Sequence, residues 1–571
     1  MKILGINHDM YITSAALIVD GKIISAVAEE RFNREKQSRR FPLNAINYCL
    51  QNSNLKITDI DYIANSYNPS SHLNKFNPIF SNSRRSRFDY LYSIPDNLLN
   101  LFPKRPLESE FMSQEHKFDE YNLKIYFINH HLCHAANGFY LSPFNEASIL
   151  TADGRGENDT TTFCHGKKNK IETLNHIKIP HSLGSFYSTF TSFLGFKPDS
   201  DEWKVMALSS YGSKSNNIYK KLKNLIEFKS NGTFELDTNY FSEINHEMPE
   251  YYSENFLKLL GKSRKKNDNI TNKHYEIAAA MQQVTEDILF HMCNKLYNLT
   301  KSNNLVLSGG SIMNSVFNGK ILENSSFKNL FISSAPDDSG LSIGAGLALY
   351  NHILGKKKRY VQTHNYYGPE FSNQRIKKIL DELKIKYYYS KNIEKYAANE
   401  LSNGKLIAWF QGRMEFGQRA LGNRSILADP RNKNMKKIIN KAIKFRESFR
   451  PFAPAILIDH VKNYFEIDGN QQVPFMEKVL KIKKHKQKDI PAVTHKDGSG
   501  RLQTVDKKNN KKFYSLINEF YKLTSIPVVL NTSFNVNNEP IVCTPQDAIR
   551  NFNTCGLDIL IMGNYIITKK N

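Results

Sequence analysis

Residues 2–29, KILGINHDMYITSAALIVDGKIISAVAE, read as strand, strand, tight turn and strand. Lys2 to Ile6 and Ser14 to Val19 are apolar runs, and Asp20-Gly21 separates the second from a third, Ile23 to Glu29. Asp-Gly between apolar runs signals a hairpin, because a type I′ turn needs positive φ at both central positions. The pattern recurs at mid-chain. In residues 146–176, EASILTADGRGENDTTTFCHGKKNKIETLNH, a strand from Glu146 to Ala152 ends at Asp153-Gly154. Strands from Thr160 to His165 and from Ile171 to His176 then flank a Gly166-Lys167 turn.

Two such units, each opening with a strand that ends near small polar residues and an Asp, predict a duplicated α/β architecture with a nucleotide cleft between its halves. That layout is similar to the actin, sugar-kinase and chaperone-ATPase superfamily, an analogy of fold and not of function. At 571 residues the chain exceeds the size at which one hydrophobic core stops growing. The short basic stretch Leu354 to His364 (LGKKKRYVQTH) follows a small-residue helix, Ser342 to Tyr350, and marks a boundary between domains at 1–355 and 366–571. The second, smaller domain restarts as α/β, with strands near Lys405 to Trp409, Ala453 to Leu457 and Val528 to Leu530. Helical periodicity covers Tyr275 to Leu299, and the polar segment from Ser66 to Phe118, with Arg84, Arg85 and Arg87, reads as loops and short helices.

Composition narrows the class. No apolar run approaches the ~20 residues that span a bilayer, and the N-terminal strand lacks the features of a signal peptide, so a cytoplasmic protein without a membrane partner is expected. The six cysteines are scattered without CxxC spacing, which predicts reduced structural thiols. The net charge of +23 suits anionic small molecules or nucleic acid. Lysines are dispersed among Asn and Ile with no aromatic-interleaved basic stripe, so nucleic acid is not the expected partner.

Three groups of residues carry chemistry. His130 and His134 lie at i, i+4 where a strand enters a helix, which fits either metal ligation or a hydrogen-bonded pair at a helix start. Asp153 and Asp338 also sit at strand ends, and two His with two Asp suit Fe(II), Mn or Zn. Gly309 and Gly310 in LSGGSIMNS, with Asn314 after them and the Gly340, Gly344 and Gly346 series, suggest backbone N–H groups aimed at a nucleotide phosphate from a helix start. Residues 409–431 hold Arg413, Arg419, Arg424 and Arg431, either an anion pocket or structural ion pairs with Glu415 and Asp429. Arg450, then Thr494, His495, Asp497 and Arg501, then Asn531, Thr532 and Ser533 extend the anion reading.

Taken in order, NHHLCHAANGFYLSPF, LTADGRGE, SDEWKVMALSSYG, GGSIMNS, EFGQRALGNRSILADPR, FRPFAPAIL, THKDGSGRLQTV and NTSFNVNNEPIV resemble the O-carbamoyltransferases of antibiotic and nodulation-factor biosynthesis. That family joins an N-terminal domain similar to the tRNA threonylcarbamoyl transferase to a C-terminal domain similar to threonylcarbamoyl-AMP synthase. The resemblance implies ATP and an iron-type metal at His130, His134, Asp153 and Asp338, and carbamoyl phosphate at Arg419, Arg450, Arg501 and Asn531 to Ser533, with loss of its phosphate there. A carbamoyl adenylate would then deliver its carbamoyl group to an acceptor hydroxyl. Lys36 matches a family lysine near the adenylate, and Asp9 would orient the acceptor or accept its proton. The chain departs from the family pattern here: Asn7-His8-Asp9 precedes Met10-Tyr11-Ile12-Thr13, so either His8 and Asp9 shift by a gap or Tyr11 replaces a histidine. Two other classes stay open. Salt-sensitive, selective tRNA affinity would mark a threonylcarbamoyl-modification enzyme, and a folded, metal-loaded protein without turnover would mark a nucleotide-binding regulator.

Overall fold

A computed structural model describes residues 1–8, 11–69, 110–118, 121–213, 217–241, 251–467 and 471–569. Asp9, Arg84, Arg85 and Arg87 lie outside the described residues. The chain divides into two compact units. The first holds Met1–Ala26, Arg39–Asn314 and Lys320–Gln362; the second holds Val27–Ser38, Ser315–Gly319 and Thr363–Asn571.

The first unit is built on two sheets that share a five-strand order, one of them with β5 added at an edge. One contains β1 (Lys2–Asn7), β2 (Ser14–Val19), β3 (Lys22–Ala28), β4 (Tyr62–Asn65), β5 (Phe111–Phe118) and β6 (Tyr121–Ile128), arranged β3-β2-β1-β4-β6-β5. The other contains β7 (Glu146–Ala152), β8 (Asp159–Lys167), β9 (Lys170–Lys178), β12 (Asn304–Ser308) and β13 (Asn329–Ile332), arranged β13-β12-β7-β8-β9. A small ribbon, β10 (Ile226–Phe228) with β11 (Phe234–Leu236), stands apart. β1 is antiparallel to β2 and parallel to β4, and β7 is antiparallel to β8 and parallel to β12. The repeated order is the duplicated, actin-like α/β architecture expected from the sequence.

Asp20 and Gly21 have φ of 48° and 80°, the left-handed pair that the Asp-Gly turn requires. The second hairpin turns two residues later than expected. Lys168 and Asn169 connect β8 to β9, with Lys168 at φ 56°, and Gly166 lies inside β8. A Cβ at Gly166 would stand 2.8 Å from the Phe139 ring, so this glycine admits an aromatic side chain and does not make the turn. The segment read as loops and short helices also ends differently, because Phe111–Phe118 is a strand paired antiparallel with Tyr121–Ile128.

Helix Leu341–Leu347 lies against β1 and against helix His130–Phe139. Contact this close needs glycine: a Cβ at Gly5 would meet the Ser342 carbonyl oxygen at 1.9 Å, and one at Gly344 the Cys133 carbonyl oxygen at 2.1 Å. Helix Asn272–Thr300 covers the expected 275–299 span.

The second unit centres on an eight-stranded sheet, β14-β23-β22-β15-β16-β21-β17-β20. Its strands are β14 (Tyr388–Tyr389), β15 (Ile407–Phe410), β16 (Arg424–Ala428), β17 (Ala453–Leu457), β20 (Gln503–Val505), β21 (Val528–Ser533), β22 (Ile559–Met562) and β23 (Tyr565–Thr568), while β18 (Val479–Lys481) pairs with β19 (Ser499–Arg501). Successive residues point to opposite faces. Ala408 and Phe410 enter one apolar cluster and Ile407 and Trp409 the other, so β15 is apolar at every position because the sheet is covered on both sides. All six cysteines are free and buried, and no helix among the described residues is long and apolar enough to cross a membrane.

Candidate functional site

Four side chains meet in the first unit. His130 and His134 project from one face of helix His130–Phe139, Asp153 follows β7, and Asp338 opens the 3-10 turn Asp338–Gly340 after β13. One ligand atom from each lies within 4.8 Å of all the others. His134 Nε2 is 2.8 Å and His130 Nε2 3.3 Å from Asp153 Oδ2; their distances to Asp338 Oδ1 are 3.5 and 3.8 Å. The Glu157 carboxylate accepts the backbone N–H of His130 at 3.0 Å and that of Asn68 at 2.8 Å, fixing the start of the helix.

Burial pushes His134 down, yet the hydrogen bonds and charges of Asp153 and Asp338 prevail and raise it to about 9. Burial and the charge of Asp153 raise Asp338 to about 6, whereas hydrogen bonds from His130 and His134 outweigh burial and hold Asp153 well below the carboxylate range. Two buried carboxylates this close demand positive charge. A divalent cation bound by two imidazole nitrogens and two carboxylate oxygens meets that demand, so the donor set fits the metal implied by the sequence.

Asn314 and the glycines sit around this cluster in different ways. Gly309, at φ 105°, donates its N–H to the Pro336 carbonyl at 2.7 Å, so that donor is already engaged. Gly310 faces Asp153, and a Cβ there would stand 2.8 Å from Oδ1. The amide of Asn314 is exchanged with Gln282 through bonds of 3.1 and 3.0 Å. Gly340 lies against the Ala335 carbonyl. The elements after Gly309 are a four-residue 3-10 turn and the four-residue helix Ser315–Asn318, too short to supply the helix-terminus field that the sequence suggested.

In the second unit the arginines of 409–431 separate. Arg424 is fully buried, donates to the carbonyls of Gln411, Gly412, Asn423 and Pro369, and lies 3.7 Å over the Phe410 ring. Arg431 pairs with Asp429 at 2.6 Å, and Arg413 bonds the Tyr367 and Gly368 carbonyls. Glu415 accepts backbone N–H groups of Leu421, Asn423 and Arg424. The ion-pair reading therefore fits Arg431 with Asp429, while the side chains of Arg424 and Arg413 bond main-chain carbonyls.

Arg419 joins a different group. Burial and the charges of Arg419 and Arg446 hold Arg501 well below the usual guanidinium range, and burial with Arg450 does the same to Arg446. Lys444 is depressed by burial and by Arg446, Arg450 and Lys36, which places Lys36 near this cluster within the same unit. The Lys444 ammonium donates to the Ser533 carbonyl, and to the carbonyl and Oδ1 of Asn535 at 2.9 and 2.7 Å. Arg446 donates to Asn440 Oδ1 at 2.7 Å with its guanidinium 4.6 Å over Phe452, while Arg450 reaches Glu447 at 3.3 Å. Arg419, Arg446 and Arg501 stand against one another as like charges, and an anion among them relieves that repulsion.

Asn531 is buried on β21 with its amide on the Ala420 carbonyl, next to Arg419. Thr532 pairs with Ile426 in the ladder, between Asn531 and Ser533. His495 Nδ1 lies 3.2 Å from Ser499 Oγ, whose proton goes to Asp497 Oδ1 at 2.6 Å; burial lowers this imidazole to about 4. Thr494 donates to the Ile490 carbonyl.

The sequence reading missed Lys444 and Arg446. Their signal was present in KAIKFRESFRPF, where cations alternate with phenylalanines, and it was read for Arg450 alone.

Residues 2–347 match the family described as Carbamoyltransferase N-terminus, and residues 398–569 match Carbamoyltransferase C-terminus. The nodulation protein NolNO of Sinorhizobium fredii is 34% identical over 99% of this chain and 80% of its own length. The 3'-hydroxymethylcephem-O-carbamoyltransferase of Amycolatopsis lactamdurans is 29% identical over 46% of this chain and 48% of its own. Among solved structures, full-length HypF in its phosphate- and nucleotide-bound form is 13% identical, covers 62% of this chain and 56% of its own, and has a TM-score of 0.31.

Proposed function

Because this chain belongs to the carbamoyltransferase family and is a carbamoyltransferase enzyme, we propose that it carbamoylates a hydroxyl of a sugar or natural-product acceptor, using carbamoyl phosphate and ATP. The observation that carries this reading is the cation group of Arg419, Lys444, Arg446, Arg450 and Arg501, in which Lys444 and Arg450 are buried and which suits a small dianion.

Carbamoyl phosphate binds among these cations and, with water, gives carbamate and inorganic phosphate. A carbamate oxygen then attacks the α-phosphorus of ATP, and pyrophosphate leaves with its electron pair. The acceptor oxygen attacks the carbamoyl carbon of the resulting carbamoyl adenylate, AMP leaves, and the hydroxyl proton passes to a base, the role of Asp9. Lys36, Asn531, Thr532 and Ser533 belong to the carbamoyl-phosphate side of this scheme, and Gly309, Gly310, Asn314 and Gly340 to the nucleotide side. A divalent cation, Fe(II) by family resemblance, held by His130, His134, Asp153 and Asp338 would supply positive charge beside the phosphates. Those four side chains would hold the cation beside Gly310, with His130, His134 and Asp338 buried and Asp153 partly so.

The test is incubation with ATP, a ferrous salt and carbamoyl phosphate without acceptor, followed by mass spectrometry for carbamoyl adenylate and an assay for pyrophosphate. Formation in the wild type, lost in Arg419→Ala and in His130→Ala, supports the scheme. No adenylate from folded, metal-loaded wild type overturns it.

A further inference from the structure

The second unit has a cleft of about 380 Å³, counted to its open mouth, where the segments 363–366, 472–475 and 503–510 meet beside β20, the last strand of the eight-stranded sheet. Small-molecule sites run from about 300 to 1,000 Å³, so this is room for one small ring. None of the residues assigned above to carbamoyl phosphate, nucleotide or metal lines it.

One wall is aromatic and fixed. The Tyr366 hydroxyl donates to the Leu421 carbonyl at 3.0 Å and accepts an Asn510 amide N–H at 2.9 Å, so the far end of this ring is pinned. Asn510 is held in turn: its Nδ2 also reaches Asn423 Oδ1 at 3.0 Å, and its Oδ1 accepts the Phe513 N–H at 3.0 Å. The His364 ring lies within 8° of parallel to Tyr366, centroids 5.8 Å apart, and its Nδ1 accepts the Tyr366 N–H at 3.2 Å. An imidazole that accepts at Nδ1 carries its proton on Nε2 and is neutral.

The rest of the lining is polar with little charge. Asn365 donates from Nδ2 to the Phe416 carbonyl at 3.1 Å, which fixes its amide and leaves Oδ1 an acceptor without a partner. Gln472 is exposed at the mouth, with Asp506 and Asn509 half-buried. In a chain of net charge +23, no lysine or arginine lines the cleft among the described residues, and Asp506 is its one carboxylate. A phosphate or carboxylate ligand finds no counter-charge here. Amides both donate and accept, which matches the hydroxyls of a sugar, and the C–H face of a pyranose suits the negative face of an aromatic ring. We propose that this cleft binds a neutral hexopyranose unit of a saccharide, laid against the His364 and Tyr366 wall with its hydroxyls toward Asp506, Asn509 and Asn365. The inference does not rest on the carbamoyl-phosphate reading.

The experiment is saturation-transfer NMR on the full chain, without ATP or carbamoyl phosphate, using the methyl glycosides of glucose, galactose, mannose and N-acetylglucosamine, repeated with excess inorganic phosphate. At least one glycoside is expected to bind with a Kd of roughly 1 mM, the scale of a shallow site with a few hydrogen bonds, and phosphate should not displace it. Asp506→Asn keeps an acceptor for the Lys508 N–H, now at 2.9 Å from the carboxylate. That variant and Asn509→Ala are each expected to weaken binding by about fivefold or more, the scale of one hydrogen bond, while melting within a few degrees of wild type. No glycoside bound by the folded wild type, displacement by phosphate, or an affinity unchanged in both variants overturns the inference. Each of these outcomes leaves the carbamoyl-transfer scheme to its own adenylate assay.

Discussion

The side-chain amide of Asn7 donates to the main-chain carbonyl of Asp338 at 3.0 Å, across 331 residues of sequence. The same nitrogen reaches the carbonyls of Tyr11 at 3.2 Å and Ile12 at 3.1 Å, and its oxygen accepts the Ser66 hydroxyl at 2.8 Å. One amide thus joins the end of β1, the loop after it and the turn that presents a candidate metal ligand. Groups that orient first ligands commonly carry 10–100-fold in metal affinity. Asn7→Ala is expected to weaken ferrous-ion binding by about that factor, and Asn7→Asp by more, because a carboxylate would face three carbonyl oxygens. Competition with a chelator reads both. Affinity within twofold of wild type in a folded Asn7→Asp protein would remove the tether.

The cation group predicts a trade between stability and binding. Arg501 sits among Arg419 and Arg446 with its Nε buried and unpartnered, a costly arrangement while no anion is bound. Arg501→Met should therefore raise the melting temperature in phosphate-free buffer by a few degrees, on the order of 1 kcal/mol. Added phosphate should raise the melting temperature of the wild type and leave the variant unmoved, since only a binding native state gains by mass action. A variant that melts below wild type in phosphate-free buffer would show that Arg501 is a structural cation.

These two sites were unequally legible. The strands and the His/Asp cluster could be read from local pattern: apolar runs, an Asp-Gly turn, an i, i+4 histidine pair and aspartates at strand ends. Each is a short-range signal that the fold has only to bring together. The arginines could not be sorted in that way. Arg424 and Arg419 are five residues apart with the same side chain, and only the tertiary surroundings, four carbonyls and a phenyl ring for one and other cations for the other, separate them. Gly166 misled for a related reason, because its lost Cβ admits Phe139 from a distant helix and no local pattern records that.

Glu202 gives the chain a pH dependence of known sign. Its Oε1 accepts the Asp199 N–H at 2.7 Å and the Ser188 hydroxyl at 3.0 Å, and burial with the charge of Asp199 raises it to about 7. The folded state then holds this proton over a range in which the unfolded chain has released it, from about 4.5 to about 7. The unfolded state binds fewer protons there, so this group's contribution falls as pH rises through that window. Glu202→Gln keeps the acceptor oxygen and removes the titration. Its melting temperature should gain on that of wild type by a few degrees between pH 5 and pH 7.5. Parallel curves for the two proteins would refute the assignment.

The adjacent glycines after β12 should fail differently. Gly309 has φ 105°, and a Cβ there would meet the Ala152 carbonyl oxygen at 2.2 Å, an atom of strand backbone that cannot yield. Gly309→Ala combines a left-handed conformation with a backbone clash, each worth about 1–3 kcal/mol, and is expected to lower the melting temperature severely. At Gly310 the nearest atom is Asp153 Oδ1 at 2.8 Å, the end of a side chain that can turn. Gly310→Ala should therefore fold with nearly wild-type stability and lose about tenfold in ferrous-ion affinity, because the displaced carboxylate no longer faces His130 and His134. Melting curves and metal titrations on the two variants separate backbone strain from ligand placement. A Gly310→Ala protein that binds the cation as well as wild type would mean that Asp153 reaches it from more than one rotamer and that the backbone at Gly310 does not set the site.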